Sequence, residues 1–80
     1  MLPFEAPEYP TKFDRTRAIA TGEVVCHYLI VDGELIEKLT YPGIDEQDVR
    51  AGVAAETGQI VEHCGKASHK LAASLLRVMT

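Results

Sequence analysis

Two evenly spaced Gly turns divide the first half of this chain into three runs of similar length. Thr21-Gly22 and Asp32-Gly33 separate residues 12–20, 23–31 and 34–41. A residue–Gly pair between β-rich runs is a strong hairpin signal, because Gly readily adopts the positive φ angles of tight hairpin turns. The spacing therefore predicts a three-stranded antiparallel meander over residues 12–41.

Two-residue turns would fix the register of this meander and sort its side chains onto two faces. The pairs across Asp32-Gly33 are Ile30–Leu35, Tyr28–Glu37, Cys26–Leu39 and Val24–Tyr41, and those across Thr21-Gly22 are Ile19–Val24, Arg17–Cys26, Arg15–Tyr28 and Phe13–Ile30. We predict that this mostly apolar face is the core, with Arg15 and Glu37 meeting over Tyr28. The opposite face carries surplus apolar residues and is the predicted partner surface: Val25, Leu29, Val31 and Ile36.

The second half of the chain changes to a helical period. Asp45 is a good N-cap, Ile44 and Val49 have the spacing of a hydrophobic staple, and this helix is expected to run to about Glu56. After Thr57-Gly58, apolar residues recur at three- and four-residue steps over 60–78, which predicts a second helix. A single helix over 45–79 would span about 50 Å, and it would need another subunit to cover its apolar side.

These patterns predict an α+β fold in which a three-stranded antiparallel β-meander is followed by two α-helices packed on one face. Residues 1–11 contain Pro3, Pro7 and Pro10, so we expect an extended Pro-rich arm ahead of a single domain over 12–80. A domain below about 80 residues obtains little stability from its own core. A protein partner or a homodimer is therefore expected.

Composition narrows the class of protein. The 80 residues carry a net charge of −4, which disfavours non-specific nucleic-acid binding. The N-terminal residues lack the pattern of a signal peptide, and no apolar run is long enough to span a membrane. Cys26 and Cys64 are expected to be reduced thiols, although both fall on predicted core positions where they can approach each other. These features predict a cytoplasmic protein and are typical of a small prokaryotic or phage regulator.

Adjacent Cys and His residues occur twice, at Cys26-His27 and His63-Cys64. Neighbouring strand residues point to opposite faces, so Cys26 and His27 are not expected to act as nucleophile and base. Neighbouring helix residues diverge by about 100°, which separates the second pair if it lies on a helix. Zinc-binding spacings and Gly-rich phosphate loops are absent from the sequence. We therefore predict no catalytic residue, no metal and no cofactor.

A basic ridge is predicted on the last helix, since four residues fall at offsets of three, seven and fourteen: His63, Lys66, Lys70 and Arg77. Such a ridge suits an acidic partner or a phosphate group, although most basic helix faces are simply solvated. Glu62 and Lys66 form a favourable i,i+4 pair, which favours the solvated interpretation.

Residues 41–56 read YPGIDEQDVRAGVAAE and resemble the last helix of a widespread family of small trihelical antitoxins. That family typically reads YPxLTxEDVRAAL after a Gly-initiated short helix, which here corresponds to residues 33–39. The resemblance implies an all-α trihelical fold, with three helices over 23–55 and a DNA-binding, antitoxin-like transcriptional regulator. The family's Gly-Thr-Arg-Ile entry motif is missing from this chain.

The sequence thus favours a small acidic, non-enzymatic protein-binding module that regulates or inhibits a protein partner. Its expected partner-binding residues are Val25, Leu29, Val31, Ile36, His63, Lys66, Lys70 and Arg77. The alternative is the DNA-binding regulator that the resemblance implies.

Overall fold

The computed structural model of the protein describes residues 4–65 together with Ser74 and Arg77. In chain order the elements are α1 (Lys12–Ala20), β1 (Val25–Val31), β2 (Glu34–Thr40), α2 (Glu46–Thr57) and β3 (Val61–Gly65). The strands form one antiparallel sheet in the order β2-β1-β3. The predicted α+β class with three antiparallel strands and two helices is confirmed. The all-α trihelical alternative is wrong, because two paired strands lie within residues 23–55.

The Asp32-Gly33 turn is a hairpin with the predicted register. Within β1 and β2, Ile30 pairs with Leu35, Tyr28 with Glu37, and Cys26 with Leu39. Asp32 and Gly33 have φ angles of 52° and 80°. Positive φ at both central residues is what a type I′ turn requires, and Asp and Gly tolerate it better than other residues.

Thr21-Gly22 ends a helix, and the prediction of a first strand over residues 12–20 is wrong. Gly22 has a φ of 77°, and its N–H donates to the carbonyl of Ile19. The next N–H, of Glu23, donates to the carbonyl of Ala18. This pair of hydrogen bonds is the Schellman motif, in which Gly occupies the left-handed position after the helix. A Gly with positive φ serves a hairpin and a helix end equally well.

The N-terminus of α1 is capped by a reciprocal pair of side-chain contacts. The Thr11 hydroxyl accepts from the Asp14 backbone N–H at 3.0 Å and donates to the Asp14 carboxylate at 2.6 Å. The cap satisfies a helix N–H that has no intrahelical partner, and the carboxylate lies at the positive end of the helix dipole.

Helix α2 matches its prediction closely. Asp45 is the N-cap and accepts from the Gln47 N–H at 2.7 Å. Gly58, with a φ of 71°, ends the helix, and its N–H donates to Ala54 at 2.7 Å. Since α2 ends at Thr57, the alternative of one continuous helix over 45–79 is wrong.

The segment after Gly58 is a strand where a helix was predicted. Residues 61–65 form β3, which pairs with β1 through Val61, His63 and Gly65. The periodicity of a five-residue stretch does not distinguish a strand from a helix. These residues form a strand because they pair with β1. The rest of the predicted helix lies outside the described residues, except Ser74 and Arg77, which are helical.

Both faces of the sheet are covered, although the meander predicted one core face and one partner face. Ile30, on the predicted core face, is 5% exposed and is a core residue, as predicted. Helix α2 covers the face that carries Leu29 and Val31, and these residues form the core cluster with Val49, Val53 and Val61. Helix α1 contacts the opposite face, where Arg15 pairs with Glu37 and lies 3.4 Å from the Cys26 sulfur. The helices therefore do not share one face. Leu29 and Val31 are buried beneath α2 and are not a partner surface.

Residues 4–6 lie along the end of β2. Tyr41 donates its N–H to the Phe4 carbonyl at 3.4 Å, and Ala6 donates to the Leu39 carbonyl at 3.3 Å. Phe4 packs against the core cluster. Lys38 forms an ion pair with Glu5 and lies 3.6 Å from the Glu56 carboxylate of α2. One cation thus connects the N-terminal segment, the edge strand and the helix.

Candidate functional site

A chain of polar side chains runs from the core to the surface beneath α2. At its inner end, the side chain of His27 is 1% exposed, and its Nε2 lies 2.8 Å from the hydroxyl of the buried Thr40. The other ring nitrogen of His27, Nδ1, lies 3.0 Å from Nε2 of His63. At the outer end, His63 Nδ1 lies 3.8 Å from the carboxylate of the exposed Glu46.

Four elements position this chain. His27 is on β1, Thr40 is on β2 and His63 is on β3, so the sheet brings together residues that are far apart in sequence. Glu46 is the first residue of α2 and is held there by the Asp45 cap. Because His27 is buried, its polar nitrogens need partners, and Thr40 and His63 supply them.

The hydrogen bonds of this chain constrain its protons. The contact between His27 Nδ1 and His63 Nε2 holds one proton, since one nitrogen must donate and the other accept. In the neutral pair, Thr40 donates to His27, His27 donates to His63, and His63 directs its Nδ1–H toward Glu46. This arrangement gives every ring nitrogen a complementary neighbour.

The same geometry argues against an acid–base catalyst. A general base needs a nitrogen that faces the substrate proton, whereas both nitrogens of His27 and both of His63 face protein groups. Within the described residues, no group of three or more His, Cys, Asp or Glu side chains is placed to hold a metal ion. Each ring nitrogen of the pair therefore faces a group of the protein itself.

A second polar cluster lies on the opposite face, under α1. Arg15 contacts Glu37, as predicted, although it reaches the sheet from a helix. It also contacts Cys26, which the meander paired with Arg17 instead. Burial raises the pKa of the Cys26 thiol above its ordinary value, and the nearby Arg15 charge opposes this only in part. Burial likewise raises the pKa of Cys64. Both cysteines are free thiols.

The raised pKa of Cys26 predicts that its thiol reacts slowly with alkylating agents. The thiolate is the species that reacts with alkylating agents, so in a Cys64→Ser variant Cys26 is expected to react several-fold more slowly in the folded protein than in urea. Alkylation by iodoacetamide at pH 7.5, followed by mass spectrometry, measures both rates. A folded protein that reacts faster than the unfolded chain would contradict the prediction and reveal an activated cysteine.

A groove of about 700 Å³ lies between α2 and the segment that leads into β3. Four α2 residues at helical spacing line one wall, Gln47, Arg50, Ala51 and Ala54, and Ile60 lies on the other. Ile60 is 82% exposed, which is unusual for a large aliphatic side chain next to a groove. Arg50 fixes the groove's shape, because its Nε–H donates to the carbonyl of Val61 at 2.6 Å.

The structure separates the predicted partner-binding residues. Leu29 and Val31 are buried, Val25 and Ile36 are half-buried, and Ile36 packs against the core. His63 belongs to the histidine pair, Arg77 is exposed, and Lys66 and Lys70 lie outside the described residues. The sequence analysis missed Thr40 and the groove around Ile60. An Ile two residues after the helix-ending Gly58 is a weak signal, since the same residue also fits a helical stripe.

Comparison of the chain with protein-family models, with curated proteins and with solved structures finds no match. Among the described residues, no helix combines the length and the apolar character needed to cross a membrane. The evidence on function therefore comes from the chain's own residues.

Proposed function

We propose that this protein is a small, non-enzymatic protein-binding module that regulates or inhibits a protein partner in the cytoplasm. The observation that carries the proposal is Ile60, which is 82% exposed on the rim of the groove beside α2. Large exposed apolar side chains next to a concave surface are typical of protein interfaces. The groove replaces the sheet face that the sequence favoured, because α2 covers that face.

The composition of the groove supports a protein partner. Its α2 wall is small and apolar at Ala51 and Ala54, and it is bordered by Gln47 and Arg50. A central apolar patch with a polar rim is the usual arrangement of a transient interface. The net charge of −4 favours a partner with a basic surface, because complementary charge accelerates association.

The polar network supports a binding role over a catalytic one. The histidines that a catalyst would use are engaged with each other, with Thr40 and with Glu46. The antitoxin-like alternative loses its support, because the trihelical fold that it needs is replaced by strands in residues 25–40.

The decisive variant is Ile60→Asp, with Phe13→Asp as its matched control. Phe13 is 74% exposed and does not line the groove, so both changes place a charge at an exposed apolar position. Burying an Ile side chain contributes about 1.5–3 kcal/mol, so Ile60→Asp is expected to weaken partner binding at least tenfold. Phe13→Asp is expected to leave binding unchanged.

The partner is first identified by immobilising the wild type and both variants and comparing the proteins retained from extracts of the source cells. Isothermal titration calorimetry with the purified candidate then gives the dissociation constants. Light scattering over a range of concentrations detects a second copy as the occupant of the groove. A strictly monomeric protein that retains no partner would contradict the function, and a partner that binds both Asp variants equally would contradict the groove.

A further inference from the structure

The geometry points to a regulatory device: the His27–His63 pair holds β3 against β1 while it carries no more than one excess proton, and a second proton releases β3. The effect on partner binding rests on the proposed function, since β3 and its leading segment form one side of the groove. The number of protons on the histidine pair and the release of β3 can both be measured on the free protein, without a partner.

One added proton is compatible with every contact of the chain. If His63 becomes an imidazolium, its Nδ1–H points to Glu46 and its Nε2–H donates to His27 Nδ1. His27 then carries its own proton on Nε2 and donates to Thr40, whose hydroxyl changes from donor to acceptor. The pair thus accommodates zero or one excess proton without moving a ring.

A second proton has no place in this arrangement. With both rings protonated, His27 Nδ1 and His63 Nε2 are both donors at a separation of 3.0 Å, and two positive charges face each other. His27 is 1% exposed and is fixed between two strands, so its ring cannot turn toward water. His63 is the outer member, and its strand must move for the contact to break.

Charged and titratable groups lie next to the pair on α2, β2 and β3. Glu46, from α2, has its carboxylate 3.8 Å from Nδ1 of His63. Lys38, the cross-strand neighbour of His27 on β2, is positive and is paired with Glu5 and Glu56. Glu62 and Cys64 flank His63 on β3. Among these groups, Glu46 faces His63 and not the buried Nδ1 of His27.

The attachment of β3 is suited to release. The pairing of β1 with β3 is irregular between Tyr28 and Leu29, next to the point where His63 pairs with Leu29. The histidine contact therefore reinforces a locally weakened part of the ladder. When it breaks, Val61 and the Ile60 segment lose their fixed position, and the groove loses one wall.

The test is hydrogen exchange of the free protein between pH 7 and pH 5, where histidines titrate and most carboxylates do not. Protection factors corrected for intrinsic exchange are expected to fall by up to about tenfold per pH unit for β3 amides, since the closed state binds one proton fewer than the open state. Amides of the β1–β2 hairpin are expected to keep their protection. An equal loss in all strands, or no loss in β3, would overturn the proposal.

His27→Gln is the matched variant. Its amide accepts from His63 and donates to Thr40, so the chain stays intact while only one ring can be charged. Protection of β3 is expected to become independent of pH over the same range. A pH dependence as steep as that of the wild type would overturn the proposal.

A measurement on the unmodified protein covers the case in which His27→Gln does not fold. Imidazole nitrogen chemical shifts, assigned for His27 and His63 separately from His69, report which rings are charged. We expect at most one charged ring in the pair for as long as β3 is protected. Two charged rings with β3 still protected would overturn the proposal. Neither measurement needs a partner, so failure of the proposed function and failure of this device are distinguishable.

Discussion

Replacing Leu29 with Ala is expected to lower the free energy of unfolding by about 2–5 kcal/mol, the range for truncating a fully buried Leu. Leu29 has no exposed surface and lies in the core cluster with Val49 and Val53 beneath α2. The loss is a large fraction of the stability of a domain of this size. Urea denaturation followed by circular dichroism measures it through the midpoint and slope of the transition.

Leu35→Ala is the matched control, because it makes the same chemical change in the same hairpin on the other face of the sheet. Leu35 is half-buried, so about 1 kcal/mol is expected for the partial burial that is lost. The meander predicted from sequence gives the opposite order, with Leu35 in the core and Leu29 exposed. A larger effect at Leu35 than at Leu29 would therefore contradict the position of α2.

The burial of both faces shows how far the sequence alone could predict the sheet. The Asp32-Gly33 turn determines which residues pair. Both turn residues have positive φ, as a two-residue hairpin turn requires, and a turn of fixed length permits one register of the two strands. Pairing places residues on a common face. It does not say which face is covered, and that depends on where the helices pack.

Two local signals together mark the first helix, and Gly22 alone does not distinguish it from a strand. Gly22 fits a hairpin and a helix end equally well. Thr11-Lys12-Phe13-Asp14 has the spacing of a capping box, and it marks the start of a helix at Lys12. Read together, a cap at Thr11 and a Gly at position 22 favour a helix over a strand.

The Arg15–Glu37 contact shows that a correct contact can follow from a wrong backbone. The predicted strand put Arg15 over Tyr28 by cross-strand pairing, whereas the helix brings a long side chain down onto the same face. Both arrangements place a guanidinium near the carboxylate. A contact predicted from sequence therefore indicates that two side chains lie on the same side of the sheet. It does not establish whether a strand or a helix places them there.

The histidine pair could not be predicted from the sequence. His27 and His63 are 36 positions apart, and they meet because β3 joins the sheet beside β1. The apolar period over residues 60–78 predicts a helix for the segment that forms β3, and on that helix His63 points outward. Without the strand assignment, neither the pair nor its link to Thr40 has a local signature.

Thr40→Val is expected to cost about 1–3 kcal/mol of unfolding free energy, because it leaves Nε2 of the buried His27 without its partner. Valine has nearly the shape of threonine, so the loss of packing is small. Thr16→Val is the control: Thr16 is exposed on α1, and its hydroxyl donates only to the carbonyl one turn earlier. A change within about 0.5 kcal/mol is expected there.

The double variant Thr40→Val with His27→Leu tests whether the cost comes from the unpaired polar group. Replacing both partners with apolar side chains of similar shape removes the unsatisfied atom, so the double variant is expected to be more stable than the sum of the single changes by at least about 1 kcal/mol. His27→Leu also removes the partner of His63 Nε2, but the same loss occurs in the single His27→Leu variant and therefore cancels in the comparison. Strictly additive losses would mean that the His27–Thr40 contact contributes nothing of its own. The histidine pair would then have to be held by β1 and β3 alone.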